Sequence, residues 1–201
     1  RFAGHGARES QGTRMSVGQY LLQSADVLKA TAAHVSPDRM ERAIDLCSTA
    51  LAQNRALLVC GNGGSAADAV HIAGELVGRF KRERRALKVI SLACNPAVLT
   101  ACANDVGFDT VFSRQVEAYG EKGGVLIGLS TSGASANVIE AFATARALGM
   151  ETIALTGQGG GRLAAHASVL IDVPSQSTPL IQQAHICIYH YLCERIEARF
   201  A

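Results

Sequence analysis

Short apolar runs alternate with longer stretches of helical spacing along most of the chain. The runs predict buried strands at 56–60, 87–92, 125–129, 152–155 and 169–173. Helices are predicted from about 65, 96–103, 112–119, 136–148 and 179–199. Strands that are apolar on both faces and alternate with helices predict a parallel sheet covered on both sides. We therefore expect an α/β fold with three αβα layers, of the flavodoxin-like or Rossmann-like type.

Two further helices are predicted ahead of the first strand. One runs from Val17 to about His34, and the next has Ser36 as its N-cap and Pro37 as its first residue. Neither carries a polar constellation, so we expect both to pack on the sheet or on a partner subunit. Residues 1–14 precede Met15 and are interpreted as upstream sequence, which leaves 15–201 as one domain.

Composition excludes several classes of protein. Of the 201 residues 48% are hydrophobic and 18% charged, and the net charge of +2 is too small to indicate a nucleic-acid partner. No apolar run is long enough to cross a bilayer, so no membrane partner is expected. The cysteines form no Cys-x-x-Cys pair, and we interpret them as reduced core residues of a cytoplasmic protein. They are Cys47, Cys60, Cys94, Cys102, Cys187 and Cys193.

A glycine-rich turn at 61–64 follows the first predicted strand and leads into a helix. Its glycines allow the backbone to approach a ligand, and Ser65 is predicted to cap the helix whose N–H groups face an anion or sugar hydroxyl. Further along, His71 and Glu75 are spaced i, i+4 and share one helix face. They are either a metal-binding or proton-transferring pair, or a solvated ion pair.

A second polar turn, at 130–135, joins a strand to a helix. Its hydroxyl side chains and free helix N–H groups suit a phosphate, although an ordinary serine-rich helix cap is the alternative. Because ligands of parallel sheets bind at the carboxyl ends of the strands, both turns are expected at one site. The basic stretch 79–85 is interpreted as a solvated loop that could also steer an anionic substrate.

The last helix carries Gln182, His185 and His190 among apolar residues. At a rise of about 1.5 Å per residue, Gln182 and His190 begin some 12 Å apart, too far to share one small ion easily. Either one of them serves a neighbouring subunit, or a metal site uses only some of these residues. His185 is a competing ligand, or else a histidine bonded to a polar neighbour at an interface.

Four motifs together resemble the phosphoheptose isomerase family of the sugar isomerase (SIS) fold. They are Gly-Asn-Gly-Gly-Ser-Ala-Ala-Asp-Ala-x-His-Ile-Ala-Gly-Glu, Ala-Asn-Asp-x-Gly-Phe, Ser-Thr-Ser-Gly-x-Ser and Thr-Pro-x-Ile-Gln-x-x-His-x-x-x-x-His. The resemblance extends from about Met15 to the end of the chain and implies a single SIS-type domain. It implies conversion of sedoheptulose 7-phosphate to D-glycero-D-manno-heptose 7-phosphate, the first step toward nucleotide-activated heptose for lipopolysaccharide or other surface glycans.

The resemblance also implies a role for particular residues. It assigns Glu75 and His190 as the acid–base pair of an enediol mechanism. It also implies a homotetramer with sites between subunits. The implied zinc ligands are His71, Glu75, Gln182 and His190. The implied substrate contacts are Asn62, Gly63, Gly64, Ser65, Glu75, Asn104, Asp105, Ser130, Thr131, Ser132, Ser135 and Gln182.

Two alternative functions stay open at this point. A non-catalytic SIS tetramer that binds a replication initiator is one, but the homologue of that kind lacks the glutamate that is present here as Glu75. An isomerase of another ketose phosphate is the other. Leu180 and Gln183 depart from the residues common in the family and flank Gln182, so they are candidates to alter sugar preference.

Overall fold

The computed structural model describes residues 15–201, so the predicted upstream segment 1–14 lies outside the described residues. The strands are β1 (Leu57–Gly61), β2 (Val89–Ser91), β3 (Val125–Ser130), β4 (Glu151–Thr156) and β5 (Val169–Asp172). The helices are α1 (Val17–His34), α2 (Pro37–Ala52), α3 (Gly64–Val77), α4 (Pro96–Asp105), α5 (Ser113–Tyr119), α6 (Ala136–Ala147) and α7 (Thr178–Glu197). Short 3-10 helices occur at Phe108–Thr110 and Gly161–His166.

All five strands pair in parallel, in the order β2-β1-β3-β4-β5. The chain therefore moves outward in one direction from β1 to β2, and in the other direction from β3 to β5. The reversal lies between β1 and β3, which is where sheets of this flavodoxin-like order bind their ligands. The predicted α/β fold and parallel sheet are confirmed.

The sheet separates two apolar layers. One layer contains Leu57, Val59 and Ile127 of the strands with buried residues of α2, α3 and α7. The other contains Leu58 and Leu126 with the apolar side chains of α5 and α6. Alternate residues of each strand thus face opposite layers, as the pleat of a strand requires. This explains why the strands are apolar on both faces.

Helices α3 and α7 pack side by side and run in the same direction. Gly64 faces Gln182 near their N-terminal ends, and His71 meets His190 further along. Beyond the end of α3, the backbone N–H of Phe80 donates to Glu197 of α7. Polar residues that are more than 100 positions apart in sequence are therefore aligned along one helix pair.

One local prediction needs correction, the length of the second strand. Strand β2 covers three residues, although Leu87 and Leu92 beside it are buried as expected. In helix α1 only Ser24 and Thr31 are buried, so most of the helix is not covered by the sheet, and its packing on a partner subunit stays a prediction. Within residues 15–201, no helix combines the length and apolar character needed to cross a membrane.

The cysteines are all free, but not all are core residues. Cys47, Cys60 and Cys193 are buried, whereas Cys94 and Cys187 are exposed. Cys94 lies in the turn after β2, and Cys187 lies on α7, where it lines a groove shared with α1 and α2. Both follow apolar neighbours in sequence, which is why the pattern alone placed them inside.

Candidate active site

A cavity of about 310 Å³ lies at the carboxyl ends of β1 and β3. Both predicted polar turns contribute to it, so the prediction that they share one place is confirmed. Its lining is Asn62, Gly63, Gly64, Ser65, Leu129, Ser130, Thr131, Ser135, Thr178 and Gln182. Eight of the predicted substrate-binding residues, Gln182 among them, therefore line the same cavity. Thr178 was not predicted.

Three helices begin at this cavity. Helix α3 begins after Gly63, α6 after Ser135 and α7 at Thr178, and none of the three has a side-chain hydrogen bond at its N-cap. The first N–H groups of a helix have no partner within the helix, and the N-terminal end carries a partial positive charge. Three such ends converging on one polar cavity form a setting for an anion.

The predicted capping role of Ser65 is wrong. The N-cap of α3 is Gly63, whose φ of 56° is accessible to glycine at little cost. The helix therefore starts one residue before Ser65, and Ser65 is a buried residue of its first turn. It remains in the cavity lining, so its predicted contact with substrate stays a prediction.

The side chain of Asn62 is held by a partner that the sequence did not reveal. Its amide exchanges two hydrogen bonds with the amide of buried Asn137, with N···O distances of 2.8 and 2.9 Å. This pair ties the turn after β1 to the start of α6. Asn62 therefore shapes the cavity, and a contact with substrate would use its remaining lone pairs or its backbone.

The hydroxyl groups of the second turn are ordered toward one another. The Ser130 and Ser135 oxygens are 2.9 Å apart, and those of Thr131 and Thr178 are 3.4 Å apart. The exposed Ser132 instead accepts a hydrogen bond from the Ala134 N–H and is outside the cavity lining. Four hydroxyls thus meet at the three helix ends, a suitable arrangement for phosphate oxygens.

A second polar cluster joins His71, Glu75 and His190. One ligand atom from each side chain lies within 4.8 Å of the other two. The His71 Nε2 is 2.9 Å from Glu75 Oε1 and 3.4 Å from His190 Nε2. All three groups come from one chain, so their convergence requires no partner subunit.

Tyr189 connects this cluster to a buried carboxylate. Its hydroxyl donates to Asp68 Oδ1 at 3.2 Å and lies 3.0 Å from His71 Nδ1. Burial, together with the charge and hydrogen bond of Asp68, raises the pKa of Tyr189 well above its usual range, so the hydroxyl keeps its proton. Burial also raises the pKa of Asp68, against the effects of Tyr189 and His71.

The donor set fits a divalent cation such as zinc. With the Tyr189 proton directed at Asp68, the Tyr189 oxygen accepts a proton held on His71 Nδ1, which leaves Nε2 to share a proton or a metal ion with Glu75 and His190. Acceptors at such short distances need a proton or a metal ion between them. Tetrahedral zinc with bonds of about 2.05 Å places neighbouring nitrogens roughly 3.3 Å apart, close to the separation of the two imidazoles.

The other predicted ligands lie elsewhere. The amide of Gln182 faces Gly64 in the cavity lining, so its role as a metal ligand stays a prediction. His185 is fully buried, and its Nε2 donates to the Thr156 carbonyl at 3.1 Å. Burial lowers the pKa of His185 to about 4. His185 is therefore a neutral core residue here and is not part of the cluster.

The remaining predicted contacts are outside the cavity. Asn104 and Asp105 are exposed at the end of α4, where the Asn104 amide donates to Asp105. Their contact with sugar hydroxyls stays a prediction. Leu180 is buried, and the Gln183 amide donates to the Tyr20 hydroxyl of α1. Neither of these two departures from the family pattern is in the cavity lining.

The basic stretch after α3 is not simply a solvated loop. The side chain of Arg84 is fully buried and pairs with buried Glu197 at 3.4 Å. Burial disfavours the charge of Glu197, but hydrogen bonds from the N–H groups of residues 80–82 and the charge of Arg84 hold its pKa below the usual range. The loop so fixed places the Phe80 ring 5.5 Å from the His190 ring.

The chain contains an SIS domain, whose family sequence model matches residues 19–157. Curated relatives indicate which kind of SIS protein this chain resembles. A phosphoheptose isomerase from Nitratiruptor is 52% identical over 77% of this chain and 83% of its own length. One from Helicobacter pylori strain P12 is 48% identical over 82% of this chain and 85% of its own length.

Solved structures agree with these relatives. A phosphoheptose isomerase from Neisseria gonorrhoeae has a TM-score of 0.84 at 40% identity, covering 90% of this chain and 97% of its own. One from Francisella tularensis has a TM-score of 0.86 at 34% identity, covering 90% and 96%. The chain therefore belongs to the phosphoheptose isomerase family. The family resemblance of the four sequence motifs, and the isomerase class that it implied, are confirmed.

Proposed function

We propose that the protein interconverts sedoheptulose 7-phosphate and D-glycero-D-manno-heptose 7-phosphate, the first step toward nucleotide-activated heptose. The observation that carries this proposal is the common placement of two clusters on α3 and α7. The anion cavity lies at the N-terminal ends of these helices, and the His71–Glu75–His190 cluster lies further along them. The same pair of helices thus holds a phosphate-binding end and an acid–base end.

The separation of the two ends suits a seven-carbon sugar phosphate. Gly64 and His71 are seven residues apart on α3, which is two turns and about 10 Å along one helix face. This is the span of an extended heptose phosphate. With the phosphate held by the hydroxyls of 130–135, its binding energy would position C1 and C2 at the cluster.

The chain's own groups can carry out the proton transfers. The Glu75 carboxylate would remove a proton from C1 of the open-chain ketose while His190 protonates O2, which gives a cis-enediol. Return of the proton from Glu75 to C2, with loss of the O1 proton to His190, gives the aldose. Zinc bound by His71, Glu75 and His190 would polarise the carbonyl as a Lewis acid.

Replacement of Glu75 tests this assignment. We expect Glu75→Gln to lower kcat by about 10²- to 10⁴-fold, the usual loss when a general base is removed. The assay is proton NMR of sedoheptulose 7-phosphate in deuterated water, which reports both product and exchange at the carbon, with and without chelator. Glu117→Gln is the control, because Glu117 is an exposed carboxylate paired with Arg114.

The outcomes separate the alternatives. Unchanged turnover in Glu75→Gln would remove Glu75 from the role of base. Turnover of a shorter ketose phosphate in preference to the heptulose would identify another isomerase of the fold. No turnover of any ketose phosphate by the wild-type protein would favour the non-catalytic scaffold.

We also propose that the protein acts in the cytoplasm as a homotetramer with a sugar phosphate as its small-molecule partner. Six free cysteines support a reducing compartment. An apolar groove between α1, α2 and α7 and the exposed Val17, Leu21 and Leu22 of α1 support association between copies. Light scattering in solution measures the mass of the assembly directly.

A further inference from the structure

Asp68 belongs to the first sequence motif, and neither the sequence nor the proposed proton transfers gave it a role. It lies one turn before His71 on α3, at spacing i, i+3, and is 8% exposed. Its Oδ1 accepts from Tyr189, and its Oδ2 is buried with no hydrogen-bond partner among the described residues. A buried carboxylate with one bond is costly to keep, so a specific use for it is expected.

Tyr189 is equally constrained. It is fully buried on α7, and its ring makes edge contacts with both imidazoles, at centroid distances of 5.4 Å to His71 and 5.0 Å to His190. Its hydroxyl has a single proton and two neighbours, Asp68 Oδ1 and His71 Nδ1. Since a carboxylate oxygen with a lone pair can only accept, the proton goes to Asp68 and the hydroxyl oxygen accepts from His71.

We propose that Tyr189, anchored by Asp68, is a positioning residue that fixes the ring orientation of His71 and keeps a proton on its Nδ1. The consequence is that Nε2, which faces Glu75 and His190, is the ring nitrogen left to bind the proposed cation. Without the anchor, the hydroxyl proton would be free to bond Nδ1, and Nε2 would carry the proton instead. An imidazole protonated on Nε2 cannot use that nitrogen as a metal ligand.

This inference rests on the proposed function only in that His71 Nε2 is taken to bind the proposed cation. Whether Nδ1 carries a proton is a property of the metal-free protein, so it can be measured without substrate or metal. Nitrogen-15 NMR of histidine-labelled protein distinguishes a ring N–H from a ring nitrogen with a lone pair, and the His71 signals are assigned by comparison with His71→Asn. Zinc affinity, measured by competition with a chelator, is the second readout.

The decisive variant is Tyr189→Phe, which keeps the ring and removes only the hydroxyl. We expect loss of the Nδ1–H preference of His71 and a 10- to 100-fold weaker affinity for zinc, the usual effect of removing a group that orients a metal ligand. Tyr191→Phe is the matched control, because the Tyr191 hydroxyl is exposed on the same helix and bonds Arg195. Thermal unfolding of both variants checks that each is folded.

Asp68→Ala gives an independent arm with a different expected result. It removes the acceptor but leaves the hydroxyl, so His71 should switch to the Nε2–H tautomer and zinc affinity should fall by a similar factor. A proton retained on His71 Nδ1 in Tyr189→Phe or in Asp68→Ala overturns the proposal. A zinc affinity of either variant equal to that of the Tyr191→Phe control also overturns it. A wild-type protein without isomerase activity refutes the proposed function, while the tautomer measurement still decides this one.

Discussion

The contact between Gly64 and Gln182 allows the site to be disturbed without disturbing the fold. A methyl group on Gly64 would lie 2.6 Å from Gln182 Nε2 and 2.9 Å from its Oε1, where ordinary contact begins at 3.4 Å. The amide would have to withdraw by about 0.8 Å, the difference between these separations. Because the amide is the far end of a flexible side chain, it can move at little cost. Gly64→Ala should therefore displace Gln182 from the cavity wall.

The expected magnitudes differ for stability and for activity. Gly64 has no positive φ and begins α3, so alanine suits its backbone and can stabilise the helix by up to about 1 kcal/mol. Loss of one hydrogen bond from Gln182 to the phosphate end of the substrate costs about 1 kcal/mol. We expect kcat/KM to fall by about 5-fold while the free energy of unfolding stays equal or rises.

Gly74→Ala is the control for this experiment. Gly74 lies in the same helix, and a Cβ added there meets no described atom within 4 Å. Urea unfolding and steady-state kinetics of the two variants give the comparison. A kcat/KM within twofold of wild type in Gly64→Ala would refute the reasoning. An equal loss in Gly74→Ala would show that the effect comes from α3 in general and not from Gln182.

Two further predictions concern buried ionisable side chains. The unfolded chain protonates His185 near pH 6.5 and the folded chain only near pH 4, so the unfolded state binds more protons between these values, and about 3 kcal/mol of stability should be lost as pH falls from 6.5 to 4. Urea unfolding across this range should show a shallower pH dependence in His185→Gln, and an identical one would contradict the assignment. Glu197→Gln leaves the buried Arg84 without its anionic partner and should destabilise the protein by about 3 kcal/mol. Glu194→Gln, which removes an exposed pair on the same helix, should cost less than about 1 kcal/mol by the same urea assay, and equal losses would refute the buried pair.

Features that depend on local sequence could be predicted. The strands, the two polar turns and the i, i+4 pairing of His71 with Glu75 follow from periodicity and from the conformations open to glycine. The order of alternating strands and helices then placed both turns at one edge of a parallel sheet. The structure confirms these predictions. They could be made from the sequence because none of them requires knowledge of which distant residues are in contact.

Features that depend on distant partners could not be predicted. Arg84 is indistinguishable from its basic neighbours until Glu197, which follows 113 residues later, is known to lie beside it. Tyr189 and Asp68 are 121 residues apart, and neither residue type signals chemistry alone. The pairing of Asn62 with Asn137 joins two turns whose proximity was expected, but the choice of partners was not. In each case the missing information is the register of one helix or turn against another.

That register also bears on how a sugar of a given length would be selected. The cavity at the ends of β1 and β3 is built on helix ends and strand ends. The His71–Glu75–His190 cluster is built further along α3 and α7. Both are therefore on rigid elements, and about 10 Å separates them along α3. A substrate with a shorter chain could keep its phosphate in the cavity or its carbonyl at Glu75, but could not reach both. Since phosphate binding accelerates reaction only when the carbonyl is positioned at the same time, discrimination would appear mainly in kcat.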